Sequence, residues 1–96
     1  MGTAKLGPRF SLGQLVATPA AIDFLSDNGV HLYDLIRRHL SGDWGDLDTS
    51  DKALNDAALA SGEDRIFSSY TFDDEKVWVI TEWDRSYTTV LMPNDY

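Results

Sequence analysis

Apolar and polar positions change period part-way along the chain: up to about Ala60 the apolar residues recur at helical spacing, and from Arg65 onward they alternate. Residues 9–17 place Phe10, Leu12, Leu15 and Val16 around Gly13, which reads as a short strand bulged at the glycine. Thr18-Pro19 is a helix start, with the hydroxyl capping and proline in the first turn. Ala21, Ile22 and Leu25 then form one apolar side, and Asn28-Gly29 supplies a left-handed stop. A second helix is predicted from about Val30 to Ser41. Its stripe is Leu32, Tyr33, Leu35, Ile36 and Leu40, with Asp34 and Arg38 paired at i and i+4, and Gly42 ends it. Gly42 to Asp48 reads as a loop. Thr49 or Asp48 caps a third helix over Asp51–Ala60 with Leu54, Ala57 and Ala58 inward, closed by Ser61-Gly62.

Three strands follow. Residues 65–72 alternate and are rich in aromatic and β-branched types. Asp73 to Lys76 makes a polar hairpin loop, and Val77–Trp83, apolar on both faces, reads as a central strand. Asp84-Arg85-Ser86 turns the chain into Tyr87–Met92, which Pro93 stops. The order β-α-α-α-β-β-β predicts an α+β fold, three helices packed on a three- to four-stranded antiparallel sheet. Residues 1–9 read as a flexible lead and 10–96 as one domain, without repeats or low-complexity segments.

Charge changes the picture more than composition does. At 96 residues and 43% hydrophobic the chain is a globular sequence with enough material for one modest core. Residues 1–42 carry four basic and three acidic side chains, whereas residues 43–96 carry four basic and thirteen acidic ones. A field of that sign disfavours direct binding to nucleic acid, whose affinity comes from phosphate neutralisation, and favours a basic protein partner. With no cysteine there is neither a disulfide framework nor a thiolate zinc site. No apolar run approaches the roughly 20 residues of a membrane span, and no signal-peptide core opens the chain, so a cytoplasmic bacterial protein without membrane contact is expected.

Candidate chemistry is sparse. Asp43, Trp44, Asp46 and Asp48 sit in a glycine-flanked loop suited to gripping a partner, the alternative being an indole that plugs the gap between helices two and three. Asp46 to Asp51 begins like a calcium loop, but it lacks the sixth-place glycine and Ala57 stands where a bidentate Glu is required. His31 opens the second helix as an exposed residue. His39 lies at the edge of the apolar stripe, either as a satisfied boundary residue or as a proton shuttle. With His39 or Glu82 exchanging protons and Arg65 and Arg85 holding phosphate, the set is that of a metal-free ribonuclease, and the helices-then-sheet layout is similar to the barnase and RelE-like toxin class. The acidity of the same half opposes that reading. No P-loop, dinucleotide fingerprint, nucleophile elbow or HExxH occurs, so no cofactor and no metal is expected.

Three stretches carry a family resemblance: Phe10-Ser-Leu-Gly-Gln-Leu-Val-Ala-Thr-Pro19, Arg38-His-Leu-Ser-Gly-Asp-Trp-Gly-Asp-Leu47, and Trp78-Val-Ile-Thr-Glu-Trp-Asp-Arg-Ser-Tyr-Thr-Thr-Val-Leu-Met-Pro93. Over residues 10–96 the chain resembles a family of small plasmid-related proteins of bacterial plasmids and integrated elements. Its specific parts are Gly-Asp-Trp-Gly-Asp-Leu and Thr-Glu-x-Asp-Arg-Ser. The resemblance implies genetic context and brings no catalytic residues. By analogy with other small acidic proteins of mobile elements, it suggests an inhibitor of the anti-CRISPR or anti-restriction type that occupies a basic nucleic-acid-binding surface of a host protein. The expected binding residues are Asp43, Trp44, Asp46, Asp48, Glu82, Asp84 and Arg85, with Trp83 and Tyr87 as further aromatic anchors. An apolar outer face on the last strand would also invite edge pairing into a homodimer.

Overall fold

The computed structural model describes residues 9–96, so the expected lead over residues 1–9 lies almost wholly outside the described residues. Its order is β1 (Gln14–Ala17), α1 (Pro19–Asp27), α2 (Leu32–Ser41), α3 (Thr49–Ser61), β2 (Ile66–Phe72), β3 (Glu75–Thr81), β4 (Tyr87–Leu91) and a closing 3-10 turn, Pro93–Asp95. The fold is α+β, with three helices and four strands as expected. The sheet, in the order β1-β4-β3-β2, is mixed and not purely antiparallel, because β1 runs parallel to β4. A hairpin forces antiparallel pairing only between chain neighbours. β1 and β4 are separated by three helices and two strands, so the alternation pattern carries no information on their relative direction. Among the described residues no helix is long and apolar enough to cross a membrane.

The helices begin where backbone donors find caps. Thr18 Oγ1 accepts from Ala21 N at 3.2 Å with Pro19 beside it, which starts α1 at the expected residue. α2 begins at Leu32, later than Val30, because Val30 N still donates to Leu25 O at 2.9 Å and so belongs to the closing wrap of α1. His31, exposed, caps α2 through Nδ1. The expected Asp34–Arg38 pair does not form. Asp34 pairs with Arg37, one residue nearer, and Arg38 turns to Asp43.

Two helix faces differ from the sequence pattern. Tyr33 is exposed, and the buried stripe of α2 is Leu35, Ile36 and His39. In α3 the buried residues are Asn55 and Ala58, while Ala57 is exposed and Leu54 is 68% exposed. The inward stripe therefore lies one residue further along than the apolar pattern indicates. The reason is a polar clamp: Asn55 Nδ2 donates to Phe67 O at 2.6 Å and Phe67 N donates to Asn55 Oδ1 at 3.0 Å. Both groups belong to the outer edge of β2, and a carboxamide that satisfies a strand edge outweighs the burial of one leucine.

The β2–β3 hairpin is tighter than expected. Phe72 pairs with Glu75, which leaves only Asp73 and Asp74 in the turn, with φ of 52° and 64°. Two positive φ values match the right-handed twist of the strands, and aspartate tolerates them better than most side chains. β3 consequently starts and ends two residues earlier than expected, and Trp83 falls in the following turn as an exposed side chain.

All three helices cover one face of the sheet. Ala21, Leu25, Leu35 and Ile36 pack there against Tyr70, Val77, Val79 and Val90. A smaller cluster of Trp44, Ala58 and Ile66, with Phe10, Leu47 and Leu59 against it, joins α3 to the sheet. The opposite face carries Val16, Phe67, Ser69, Trp78, Ile80, Tyr87, Thr89 and Leu91 by register; none of the three α-helices lies over it, and Tyr96, after the closing 3-10 turn, packs on Trp78 there.

Candidate functional site

The acidic segment 43–64 runs along the outer edge of β2. It holds seven acidic residues, Asp43, Asp46, Asp48, Asp51, Asp56, Glu63 and Asp64, against one basic residue, Lys52, and all eight are exposed. Its backbone is fixed to the sheet: Ser69 N donates to Trp44 O at 3.2 Å and Asp46 N to Ser69 O at 2.6 Å. This one-residue parallel bridge between Gly45 and Ser69 requires a glycine. Gly45 has φ +75°, and a Cβ there would lie 2.0 Å from Ser69 O. Together with the Asn55 clamp, the bridge satisfies the β2 edge at Phe67 and Ser69 and turns a sequence loop into a rigid arm.

Asp43 anchors the arm's start. Its carboxylate accepts from Arg38 Nε at 2.7 Å and from Gly45 N at 3.1 Å, and its carbonyl accepts from Tyr70 Oη at 2.7 Å. The Arg38 bond holds the Asp43 carboxyl below its ordinary range and raises Arg38 in turn. Arg38 also lies 4.4 Å above the Tyr70 ring. Asp48 caps α3 by accepting from Asp51 N at 2.8 Å. Trp44 is buried against Phe10 and His39, and its Nε1 donates to Asp56 at 3.2 Å. The expected anchor Trp44 is therefore the interhelical plug, and it cannot reach a partner. Asp46, Asp51, Glu63 and Asp64 have side chains free of such duties among the described residues, and they are the arm's outward charges.

Of the residues named for ribonuclease chemistry, His39 is closed off from solvent. It is fully buried, not at a boundary. Its Nδ1 lies 2.6 Å from Ser68 Oγ and its Nε2 2.9 Å from Thr81 Oγ1. Thr81 Oγ1 is 2.7 Å from Thr88 Oγ1, which donates to Leu12 O at 2.8 Å. This chain has one consistent proton direction. Thr88 spends its proton on Leu12, so Thr81 donates to Thr88, Nε2–H donates to Thr81, and Ser68 donates to Nδ1. The imidazole is neutral, and burial pushes it down to about 3. A group enclosed in this way cannot exchange protons with a substrate.

Arg85 is equally committed. Held at φ 61°, it donates to the carbonyls of Asp64 (2.7 Å), Glu82 (3.1 Å), Trp83 (3.1 Å) and Ala58 (3.3 Å), tying the end of α3 to the β3–β4 turn. Asp84 accepts from Ser86 Oγ and N within that turn, and the Ser86 hydroxyl holds its carboxyl below the usual value. Arg65 donates to Tyr96 Oη at 2.9 Å. Glu82 is half-buried beside Tyr87.

Sequence reasoning missed Arg38, Asn55 and Tyr70, which hold the arm. An asparagine within the alanine-rich third helix was the one available signal. Among the described residues no group of three or more His, Asp or Glu side chains has metal-site geometry. No family model matches the chain, and no curated protein or solved structure is similar to it.

Proposed function

We propose that the chain is a binding protein whose acidic arm occupies the basic nucleic-acid-binding surface of another protein and so blocks it. The host protein would be a defence or nucleic-acid-processing enzyme, as the resemblance to plasmid-borne proteins suggests. The observation that carries this reading is the arm itself: seven exposed carboxylates on a segment bonded to a sheet edge through the backbone of Trp44 and Asp46 and the side chain of Asn55. Preorganised charge competes with a phosphate backbone without first losing conformational entropy. The ribonuclease reading loses His39, which is enclosed, and is left with the half-buried Glu82 as its proton-exchanging group.

The structure refines the test. Reversing Asp43 or Asp48 would break the Arg38 clamp or the α3 cap and confound folding with binding. Asp46→Lys, Asp51→Lys and Asp64→Lys together break no side-chain hydrogen bond among the described residues. Tagged protein is used to capture partners from a bacterial lysate with active CRISPR and restriction systems, and bound protein is challenged with duplex DNA. The expected result is a near-stoichiometric partner that duplex DNA displaces and that the triple variant fails to hold. Equal capture by a folded triple variant would overturn the acidic-mimic mechanism.

A further inference from the structure

The helix-free sheet face differs from the rest of this acidic molecule. Its charged members are Lys76 in β3 and, one residue beyond the paired strands, Arg65, bonded to Tyr96, and Glu82, whose N donates to Tyr87 O; these three carry no excess of negative charge, whereas the whole chain has a formal charge of −8. Its other members are apolar or aromatic. Trp78 packs edge-on against Phe67 and Tyr96, with ring centroids 5.2 and 6.0 Å apart, and this cover buries Ile80 and Leu91. Val16 and Tyr87 remain 42% and 43% exposed beside it, and Tyr96 is 72% exposed. The face thus spans all four strands, with apolar surface facing water.

We infer that this face is where two copies of the chain associate, sheet against sheet, about a two-fold axis crossing β3. The argument is charge complementarity. Along the open side of β3 the order is Lys76, Trp78, Ile80, Glu82, with a cation at one end, an anion at the other and apolar residues between. A two-fold axis through the middle of that row is self-complementary: it brings Lys76 of each copy to Glu82 of the other and stacks the apolar centres. Neither Lys76 nor Glu82 has a side-chain partner among the described residues. The acidic arm borders this face only along its β2 edge, where Asp51 and Asp64 lie beside Arg65 and Phe67, away from the Lys76–Glu82 row of β3. The inference stands apart from the proposed function, since it uses none of the arm's residues. A face of four strands is small for a protein interface, so the expected affinity is weak, in the micromolar range.

Sedimentation equilibrium from about 1 µM to about 1 mM tests it. The expected result is a concentration-dependent shift from the 10.7 kDa chain to twice that mass. Lys76→Glu and Glu82→Lys should each weaken self-association by about tenfold or more, because each places like charges opposite one another. Mixing the two variants should restore a heterodimer at wild-type affinity, since both cross-pairs then regain opposite charge. Val16→Asp, at an exposed position, should also dissociate the dimer. Unfolding curves confirm that each variant is folded. A chain that stays monomeric throughout, a dimer indifferent to both charge reversals, or a monomer whose aromatic face binds a single-stranded oligonucleotide would each overturn the inference.

Discussion

Ser68 and Ser69 are neighbours on β2, both buried, and they point to opposite faces of the sheet. On the helix side, Ser68 Oγ bonds His39 and opens a chain of polar groups that ends at Leu12 O with every proton accounted for. On the open side, Ser69 Oγ is the one buried side-chain polar atom without a partner among the described residues. The helix face is a completed interior in which even the polar groups are matched. The other is an aromatic cover lying over whatever the strands happen to present. Buried polar groups specify a structure only where they are fully satisfied, so the two faces should respond differently to the same kinds of change.

Removing His39 should have the largest effect. His39→Ala empties a fully enclosed site, leaves Ser68 without its acceptor and removes the donor to Thr81, a loss of about 3–5 kcal/mol measurable by urea denaturation. A loss below about 1 kcal/mol would show that the network is not a structural centre. Gly45→Ala comes next. The added methyl would meet Ser69 O, and the residue would be held at φ +75°, so about 2–4 kcal/mol should be lost and the acidic arm released from β2. Protection of the Asp46 amide, bonded to Ser69 O, reports that release by hydrogen exchange.

Acid titration sharpens the comparison further. His39 is pushed from 6.5 to about 3 in the folded chain, so the unfolded chain binds the proton more readily. Stability contributed by neutral His39 is fully present above pH 6.5 and is lost as pH falls toward 3, at about 1.4 kcal/mol per pH unit within that window. Asp43, held low by Arg38, loses its contribution in the same direction, but only below the ordinary carboxylate range. Between pH 6.5 and about 5 the slope therefore belongs to His39, and it should vanish in His39→Ala. A slope that survives the substitution would assign the proton elsewhere.

Much of the architecture was legible because it rests on local chemistry. Thr18-Pro19, Gly42, Asp48 and Gly62 mark helix ends through caps and left-handed glycines, and the three C-terminal strands follow from alternation. What escaped involves pairing over distance. The direction of β1 depends on β4, and the face of α3 depends on Asn55 finding Phe67, which apolar periodicity cannot register. At the candidate site the acidic residues were legible as composition. Their division into structural and outward groups was not, because it turns on Arg38 and Tyr70 reaching Asp43 and on Gly45 lying against Ser69. His39 shows the same limit. Its spacing from Leu35 and Ile36 put it near the stripe, but only the hydroxyls of Ser68 and Thr81, on two other elements, allow it to be enclosed.

The smallest expected effect discriminates best between the two faces, because it compares the same substitution at adjacent positions. Ser68→Ala removes the donor to His39 Nδ1 and leaves that nitrogen buried and unpaired, which should cost about 1–3 kcal/mol. Ser69→Ala removes a hydroxyl that already lacks a partner, while its backbone bonds to Trp44 and Asp46 are untouched. The second change should be neutral or stabilising by up to about 1 kcal/mol, since it deletes a desolvated polar atom and creates no cavity of consequence. Both variants keep the same backbone and the same strand, so a thermal or urea midpoint measured side by side isolates the hydroxyls. Opposite signs would establish that polar matching is confined to the helix side. A clear loss in Ser69→Ala would mean that its hydroxyl is partnered in solution, and the open face would then be more than an aromatic cover.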